Sequence, residues 1–404
     1  MKKVLIAGID GYLGWTLATY LGIRGYEVYG FDNFNRRKWV SEMSSVSAIP
    51  ISAMEERIAS YKNVSKSSIQ FYKGDACDYV FVSKLIGDIK PDAIVHLAEC
   101  PSAPFSMKGV NNTVEVFNNN IIGTLNILHA IRDFSPTSHL VKLGTMGEYG
   151  TPNIDIPEGF FEVEFRGRKD VLPFPKQAGS WYHWTKVHDS NNIMFACDIW
   201  NLRSTDIMQG IVFGSQVDEI MLHEKLKTRL DFDQAFGTVI NRFCCQAVIG
   251  HPLTTYGKGT QTRSFIPLRD SMQCLKIVID NPPQQGEYRV INQFESTYSI
   301  LELSKLVQEV AINNDLPTER IHVENPRKEA EEHYFNPENK TLLKLGYAPS
   351  KNLKYEIDLT IKELKKHTKT LKAYENILIP DIRWDGEKRK SGVLDQKSIS
   401  ANMV

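Results

Sequence analysis

The first nine residues already set a pattern. "KKVLIAGI" is apolar without interruption from Val4 to the glycine that ends the run, as a parallel strand buried on both faces is. "YLGWTLATYLGIRG" then predicts a helix and "EVYGFD" a second strand. "SIQFYKGD", "AIVHLA" and "HLVKLGTM" predict later strands of the same sheet. Between the last two, "NNNIIGTLNILHAI" puts Ile121, Ile122, Leu125, Leu128 and Ile131 on one helical face. Strand alternating with helix predicts an α/β fold, a doubly wound parallel (Rossmann) sheet with right-handed crossovers. Residues 35–68, rich in serine and charge, predict a partly irregular excursion after the second strand. Beyond residue 217 the pattern loosens into short helices, "HPLTTYGKG" and a polar helical segment near 300–313. This predicts a smaller C-terminal α/β lobe over the carboxyl ends of the strands, where such sheets bind ligands. The organisation is then 1–215 for the dinucleotide-binding domain, with a segment around 265–295 returning to it. Residues 216–384 form the substrate lobe, and 385–404 a polar tail.

Composition narrows the function classes. A chain of 404 residues is long enough for two lobes. Its 48 basic and 48 acidic residues balance, which gives no electrostatic case for a nucleic-acid or membrane partner. The six cysteines have no C-x-x-C spacing, which argues against a zinc site or a disulfide framework and for a reducing compartment. The N-terminal apolar run is broken at once by glycine and aspartate, so it reads as a strand and not a signal peptide. No apolar run is long enough to span a bilayer. The expected location is cytoplasmic, or plastid if a transit peptide has been removed.

"GIDGYLGWTL" spaces Gly8, Gly11 and Gly14 immediately after a strand and at the start of a helix. Glycines let the backbone approach a pyrophosphate, and the helix N-terminus offers free N–H groups. Asp10, Tyr12 and Leu13 belong to the same loop. Asp32 ends the second strand, with Asn33 beside it. A carboxylate there accepts ribose hydroxyls and repels a 2′-phosphate, which favours NAD over NADP. Arg36 and Arg37 lie close enough to hold that phosphate, or they are surface charges. Asp75 and Ala76 offer an adenine-edge contact, and Leu97 and Ala98 end the fourth strand at the height of the cofactor's middle.

"SWYHWTKVHDS" sets Tyr182 and Lys186 at i and i+4, on one helix face. A phenol is a poor base at neutral pH, but a nearby ammonium and an oxidised nicotinamide both favour the phenolate. Tyr182 can then take a proton from a sugar hydroxyl while hydride leaves the same carbon. The motif alone is common by chance; after a dinucleotide loop and a threonine-bearing strand it gains weight.

These residues, with Thr145, resemble the extended short-chain dehydrogenase/reductases that act on nucleotide sugars. The stretches "SAPFSM", "HLVKLGTMGEYGTPNIDIPEG", "LPFPKQAGSWYHWTKVHDSNNI", "FGTVINRFCCQAVIGHPLTTYGKGTQTRSF" and "ENPRKEAEEHY" further resemble one branch, the UDP-sulfoquinovose synthases. The resemblance implies that UDP-glucose and sulfite are joined through C4 oxidation, C5–C6 elimination, sulfite addition at C6 and C4 re-reduction. It implies Tyr182 as redox base, Lys186 as its partner and Thr145 near the C4 oxygen. Asn119, Gln209 and Val212 match cofactor-side positions, Gln209 also facing substrate. Thr260, Gln261, Arg263 and Arg327 match UDP-binding stretches, and Asn241 and Arg242 fall in the same matched segment. A homo-oligomer, most simply a dimer, is implied as well; extra apolar residues around 114–134 and 182–200 could pair across a two-fold axis. Plant-type members read Gln-Arg-Ser where this chain reads Cys100-Pro101-Ser102, so an arginine that could anchor an anion is missing.

"GTMGEYG" departs from the related dehydratases, which carry aspartate and glutamate after the threonine. Met146 and Gly147 can neither give nor take a proton. Glu148 follows, and on a strand it would point to the other face; with Met146 and Gly147 it is counted on the substrate side. His183 has a suitable pKa but sits about 100° round the helix from Tyr182, so packing and catalysis both stay open. A UDP-hexose 4-epimerase, a 4,6-dehydratase and a dinucleotide-sensing binding protein remain as alternatives.

Overall fold

The computed structural model describes residues 1–385; the polar tail expected at 385–404 lies, apart from its first residue, outside the described residues. Seven strands form one parallel sheet: β1 (Lys3–Ala7), β2 (Glu27–Asp32), β3 (Ile69–Lys73), β4 (Ala93–His96), β5 (His139–Leu143), β6 (Arg203–Gln209) and β7 (Tyr288–Gln293). Their spatial order is β7-β6-β5-β4-β1-β2-β3. The order reverses at β1 and β4, so the crevice at their carboxyl ends is the switch point of the fold. The continuous apolar run of β1 has a direct reason. Val4 and Ile6 enter the core on one face, Leu5 and Ala7 the core on the other, and all four are fully buried.

Helices α1 (Tyr12–Gly22) and α3 (Trp181–Trp200) carry site residues; α2 (Val110–Phe117) packs on α3, and α4 (Val239–Ile249) lies in the C-terminal part. The helix Leu268–Asp280 and strand β7 return to the sheet from the later part of the chain. The remaining C-terminal residues build small sheets, with Leu253–Tyr256 parallel to Arg320–Val323 and a three-stranded group at Thr262–Pro267. They pack with α4 and the helices Ile300–Ile312 and Leu353–Lys365 into a separate core. Among the described residues no helix is long and apolar enough to cross a membrane.

The excursion after β2 is more ordered than its composition predicts. It forms helices Asn35–Glu42 and Met54–Ser65. The second is held from below: Tyr61 donates to the Thr19 carbonyl (2.8 Å), and Arg57 lies over the Trp15 ring and pairs with Asp10 (3.0 Å). Those partners sit far away in sequence, so local polarity does not reveal them.

Candidate functional site

At the end of β1 the chain turns at Gly8 with φ +87°, a left-handed conformation suited to glycine. A Cβ there would stand 2.7 Å from the Leu97 backbone, so only glycine lets the two loops meet. Gly11 caps α1 without a side-chain hydrogen bond, which leaves the helix N–H groups open. A cavity opens beside this terminus. Gly8, Gly11, Tyr12, Leu13 and Gly14 line it together with Asp32, Asn33, Arg36, Ala76, Leu97 and Ala98. Asn119, Thr145, Tyr182, Lys186, Gln209 and Val212 complete its wall. A glycine-lined helix terminus beside a strand-end carboxylate suits a dinucleotide such as NAD.

The charged residues of the expected cofactor set divide. The Asp32 carboxylate accepts from the Asp10 and Phe34 N–H groups (2.9 and 2.6 Å) and reaches the cavity. Burial, with Asp10 nearby, pushes it up to about 6. Asp10 and Arg37 do not line the cavity, contrary to expectation. The Asp10 carboxylate is buried and takes a bidentate pair from Arg37 (2.7 Å each). Arg36 lines the cavity but gives two nitrogens to Asp231 (3.1 and 2.7 Å). The arginines that could have held a 2′-phosphate are thus engaged by carboxylates, which leaves Asp32 to favour NAD. Asp75 also stays off the cavity wall, where its oxygen fixes Asn33 (2.9 Å).

Tyr182 and Lys186 sit in the first turns of α3, which Ser180 caps. Both are buried and both line the cavity. Lys186 Nζ donates to the Leu143 carbonyl (2.6 Å) and pairs with Glu99, 6.0 Å from the Tyr182 ring centre. The expected lowering of Tyr182 is not what this arrangement produces. Burial first, then the Glu99 and Glu148 carboxylates, hold the phenol well above its ordinary value. Lys186 cannot counter this while Glu99 neutralises it.

"TMGE" is a capping box and not a strand. Thr145 Oγ1 accepts the Gly147 N–H (3.1 Å), and Glu148 Oε1 accepts the Thr145 N–H (3.2 Å). The expectation that Glu148 meets substrate is corrected: the turn buries it completely, in ion pairs with Lys142 (3.2 Å) and Lys176 (2.5 Å). Burial would raise its carboxyl, but the two ammoniums outweigh burial and hold it below the usual range.

Gly147 has a reason of its own. A Cβ on it would press into His183 Nε2, closer than van der Waals contact allows. The missing acidic side chain therefore makes room for an imidazole. His183 Nδ1 lies 2.9 Å from Ser180 Oγ. Burial, with Arg327 and Arg263 nearby, pushes the ring down to about 4, so it is neutral at pH 7. Gly147→Ala is expected to displace the imidazole and cost about 100-fold in turnover, because a shift near 1 Å has that effect. Steady-state kinetics beside an unchanged melting curve checks this; wild-type turnover in the variant would mean that the imidazole position does not matter.

On the C-terminal side, Arg263 holds Glu329 (2.5 Å) and His333 (2.9 Å). Arg327 lies over the Trp384 ring, and both arginines act on Glu329 and on His183. Thr260 donates to the Glu331 carbonyl (2.9 Å), and buried Gln261 to that of Tyr256 (3.3 Å). Asn241 and Arg242 are corrections. Asn241 accepts the Gly214 N–H (3.0 Å), and Arg242 is buried on Tyr256 (2.7 Å) and the Thr254 carbonyl (3.3 Å), within the C-terminal core.

Residues 5–368 match the family model described as GDP-mannose 4,6 dehydratase. A UDP-sulfoquinovose synthase of Sulfolobus acidocaldarius is 45% identical over 383 residues, covering 95% of this chain and 97% of that protein. The chloroplastic UDP-sulfoquinovose synthase of Spinacia oleracea is 47% identical over 348 residues, covering 86% and 72%. The chain belongs to the UDP-sulfoquinovose synthase family. The UDP-glucose 4-epimerase of Thermotoga maritima has the same fold, with a TM-score of 0.67 at 17% identity over 90% of this chain and 99% of that one.

Beyond the residues expected from the family, the site uses Glu99, Asn120, Lys142 and Lys176. Asn120 sits in a π turn, Asn118–Ile122, and ties the Cys100 N–H (2.8 Å) to Thr185 of α3 (2.9 Å). A lysine inside the apolar run "HLVKL" and the T-x-x-E spacing were the available sequence signs for Lys142 and Glu148. Glu99 closes "HLAE" with no sign of its partner.

Proposed function

We propose that the protein joins sulfite to UDP-glucose, giving UDP-sulfoquinovose and water. The observation that carries this reading is the His183 imidazole over Gly147, in the slot where dehydratase relatives carry acids. Two relatives bearing the synthase name over most of the chain support it. In net terms hydrogensulfite replaces the C6 hydroxyl, water leaves, and C4 ends as it began, so no external oxidant is consumed.

NAD bound in the cavity supplies the oxidation of the sugar C4 and its later reversal. Tyr182 takes the C4 hydroxyl proton, and Thr145 hydrogen-bonds the C4 oxygen and polarises it. The C4 ketone makes the C5 proton acidic. With Nδ1–H donated to Ser180, His183 Nε2 is free to accept that proton and pass it to the departing C6 hydroxyl. The conjugated C5–C6 bond then takes hydrogensulfite, its sulfur at C6 and its proton at C5 through His183, and Tyr182 returns its proton to the C4 oxygen as C4 is reduced. Arg327, with Arg263 once the nucleotide draws it from Glu329, holds the UDP pyrophosphate, for which planar guanidinium groups are suited.

Mass spectrometry together with proton NMR of the product from UDP-glucose, with and without sulfite, tests the reading. A sulfonated UDP-hexose formed only with sulfite is expected. UDP-galactose or a stable 4-keto-6-deoxy sugar in the presence of sulfite would instead select the epimerase or dehydratase, and no turnover at all the dinucleotide-sensing protein.

The active unit in this reading is a dimer. Val110 and Val114 on α2, and Trp181, Trp184, Phe195 and Ile199 on α3, are exposed on two helices that pack together. Joined across a two-fold axis they would bury a continuous apolar face. Light scattering at micromolar concentration is expected to give twice the 46.0 kDa chain mass; the chain mass itself would count against the dimer. With all six cysteines free, a reducing compartment such as the cytoplasm suits the protein.

A further inference from the structure

A carboxylate in the cavity wall has no place in the chemistry above. Glu99 follows β4 in a tight turn, its N–H donated to the Leu97 carbonyl (2.9 Å), and its side chain is 2% exposed. It lines the cavity with Tyr182 and Lys186. Its oxygens face the Lys186 ammonium and His96 Nε2 (3.5 Å) and accept no other hydrogen bond among the described residues. His96 is pushed down to about 4 by burial, so it brings no charge. Lys186 is therefore held between a neutral acceptor, the Leu143 carbonyl, and one negative charge.

We propose that Glu99 is a positioning residue: it parks the Lys186 ammonium on the Leu143 carbonyl and offsets its charge, so that Tyr182 keeps its proton until ligands fill the cavity. This rests on the proposed use of Tyr182 as the C4 base. The charged groups around Tyr182 differ in how far they are compensated. Glu148, from the turn after β5, is already matched by Lys142 and Lys176. Asp206 of β6 shares Lys142 (3.2 Å). Asp189, one turn beyond Lys186 on α3, has its carboxyl pushed well above the usual range by burial and by Glu99. Cys100 faces Tyr182 from the β4 loop as a thiol that burial pushes up to about 12, and His183 is neutral. Arg36, from the helix after β2, is the cation that faces Tyr182, and Asp231 partly cancels it. A ligand that draws Lys186 from Glu99 toward Tyr182 switches the local field from negative to positive. The phenol then becomes a base only when there is a hydroxyl to deprotonate.

The test is the ultraviolet tyrosinate titration of the protein as purified, with the Tyr182→Phe signal subtracted to isolate Tyr182. Glu99→Gln keeps the shape and removes the charge. The Tyr182 midpoint is expected to fall by at least one pH unit, and the rising limb of kcat/KM against pH should move the same way. Glu99→Asp, which keeps the charge at a shorter reach, should fall between wild type and Glu99→Gln, and carries the test if the glutamine variant does not fold. An unmoved midpoint, or a loss of activity equal at every pH, overturns the proposal, because a merely structural glutamate would give that result. The titration needs no substrate. Failure to form a sulfonated sugar would thus remove the reaction and leave the titration standing, whereas an unmoved midpoint in a protein that makes the sugar removes this inference alone.

Discussion

Tyr182→Phe is expected to lower turnover by about 10²–10⁴-fold, the range lost with a general base. The ring packs among Trp39, Cys100, Phe105 and Phe236, and phenylalanine keeps that packing. The change removes one oxygen, so the melting temperature should stay near wild type. The order of steps makes the result more specific. In heavy water without sulfite, wild-type protein should slowly place deuterium at C5 of recovered UDP-glucose, since deprotonation at C5 needs the ketone but not the nucleophile. The variant should lose this exchange together with sulfonation, because oxidation at C4 comes first. Exchange that survives in Tyr182→Phe would assign the C4 base to another residue. A wild-type protein that makes the sulfonated sugar but never exchanges C5–H would point to direct displacement at C6.

The second large effect concerns stability. Lys142 lies in the middle of the central sheet with a side chain fully removed from solvent. It donates to Ser190 Oγ (3.0 Å) and to the Lys186 carbonyl (3.1 Å), and it pairs with Glu148 and Asp206 (3.2 Å each). Burial would lower its pKa, yet Asp206 and Glu148 outweigh burial and raise it. Lys142→Met fits the volume but, among the described residues, leaves buried Asp206 without an ion pair and Glu148 with Lys176 alone. Removing one partner of a buried pair costs about 3–5 kcal/mol, a large part of the ~5–15 kcal/mol that holds a domain together. Urea unfolding at pH 7 should show that loss; a difference below about 1 kcal/mol would mean that water or a shifted lysine replaces the ammonium. The pH dependence has a definite sign. Glu148 is depressed in the folded state, so its contribution is present above the unfolded carboxyl value of 4.5 and is lost only as the pH falls through the lower folded value. Lys142 is raised, so its contribution is full below 10.5 and is lost as the pH climbs past that. The deficit of Lys142→Met should be greatest between those limits and shrink in acid, where the two carboxylates take up protons.

Much of this protein follows from its sequence alone. Uninterrupted apolar runs ending in glycine predict strands covered on both faces, and the alternation with helices then leaves few topologies. The glycine loop before α1, the carboxylate ending β2 and the Tyr182/Lys186 spacing are local patterns, so the chain states them without help from the fold. Which charge meets which was decided only by tertiary structure. Arg37 could have been a phosphate ligand or a surface charge; its bidentate pair with buried Asp10 makes it neither. Glu148, expected on a strand pointing to the other face yet counted on the substrate side, is turned by the capping box onto Lys142 and Lys176. His183, one position from Tyr182, looked as much like packing as chemistry. At the start of a helix that abuts the "TMGE" turn, Gly147 leaves the space for the ring, while the cavity wall itself holds Tyr182 and Lys186 and not His183. Periodicity reports which face of an element is buried, because burial acts on every residue of that face. The partner of a buried charge is a single contact between distant segments, and it is set by the strand order β4-β5-β6 and by where α3 lands on it.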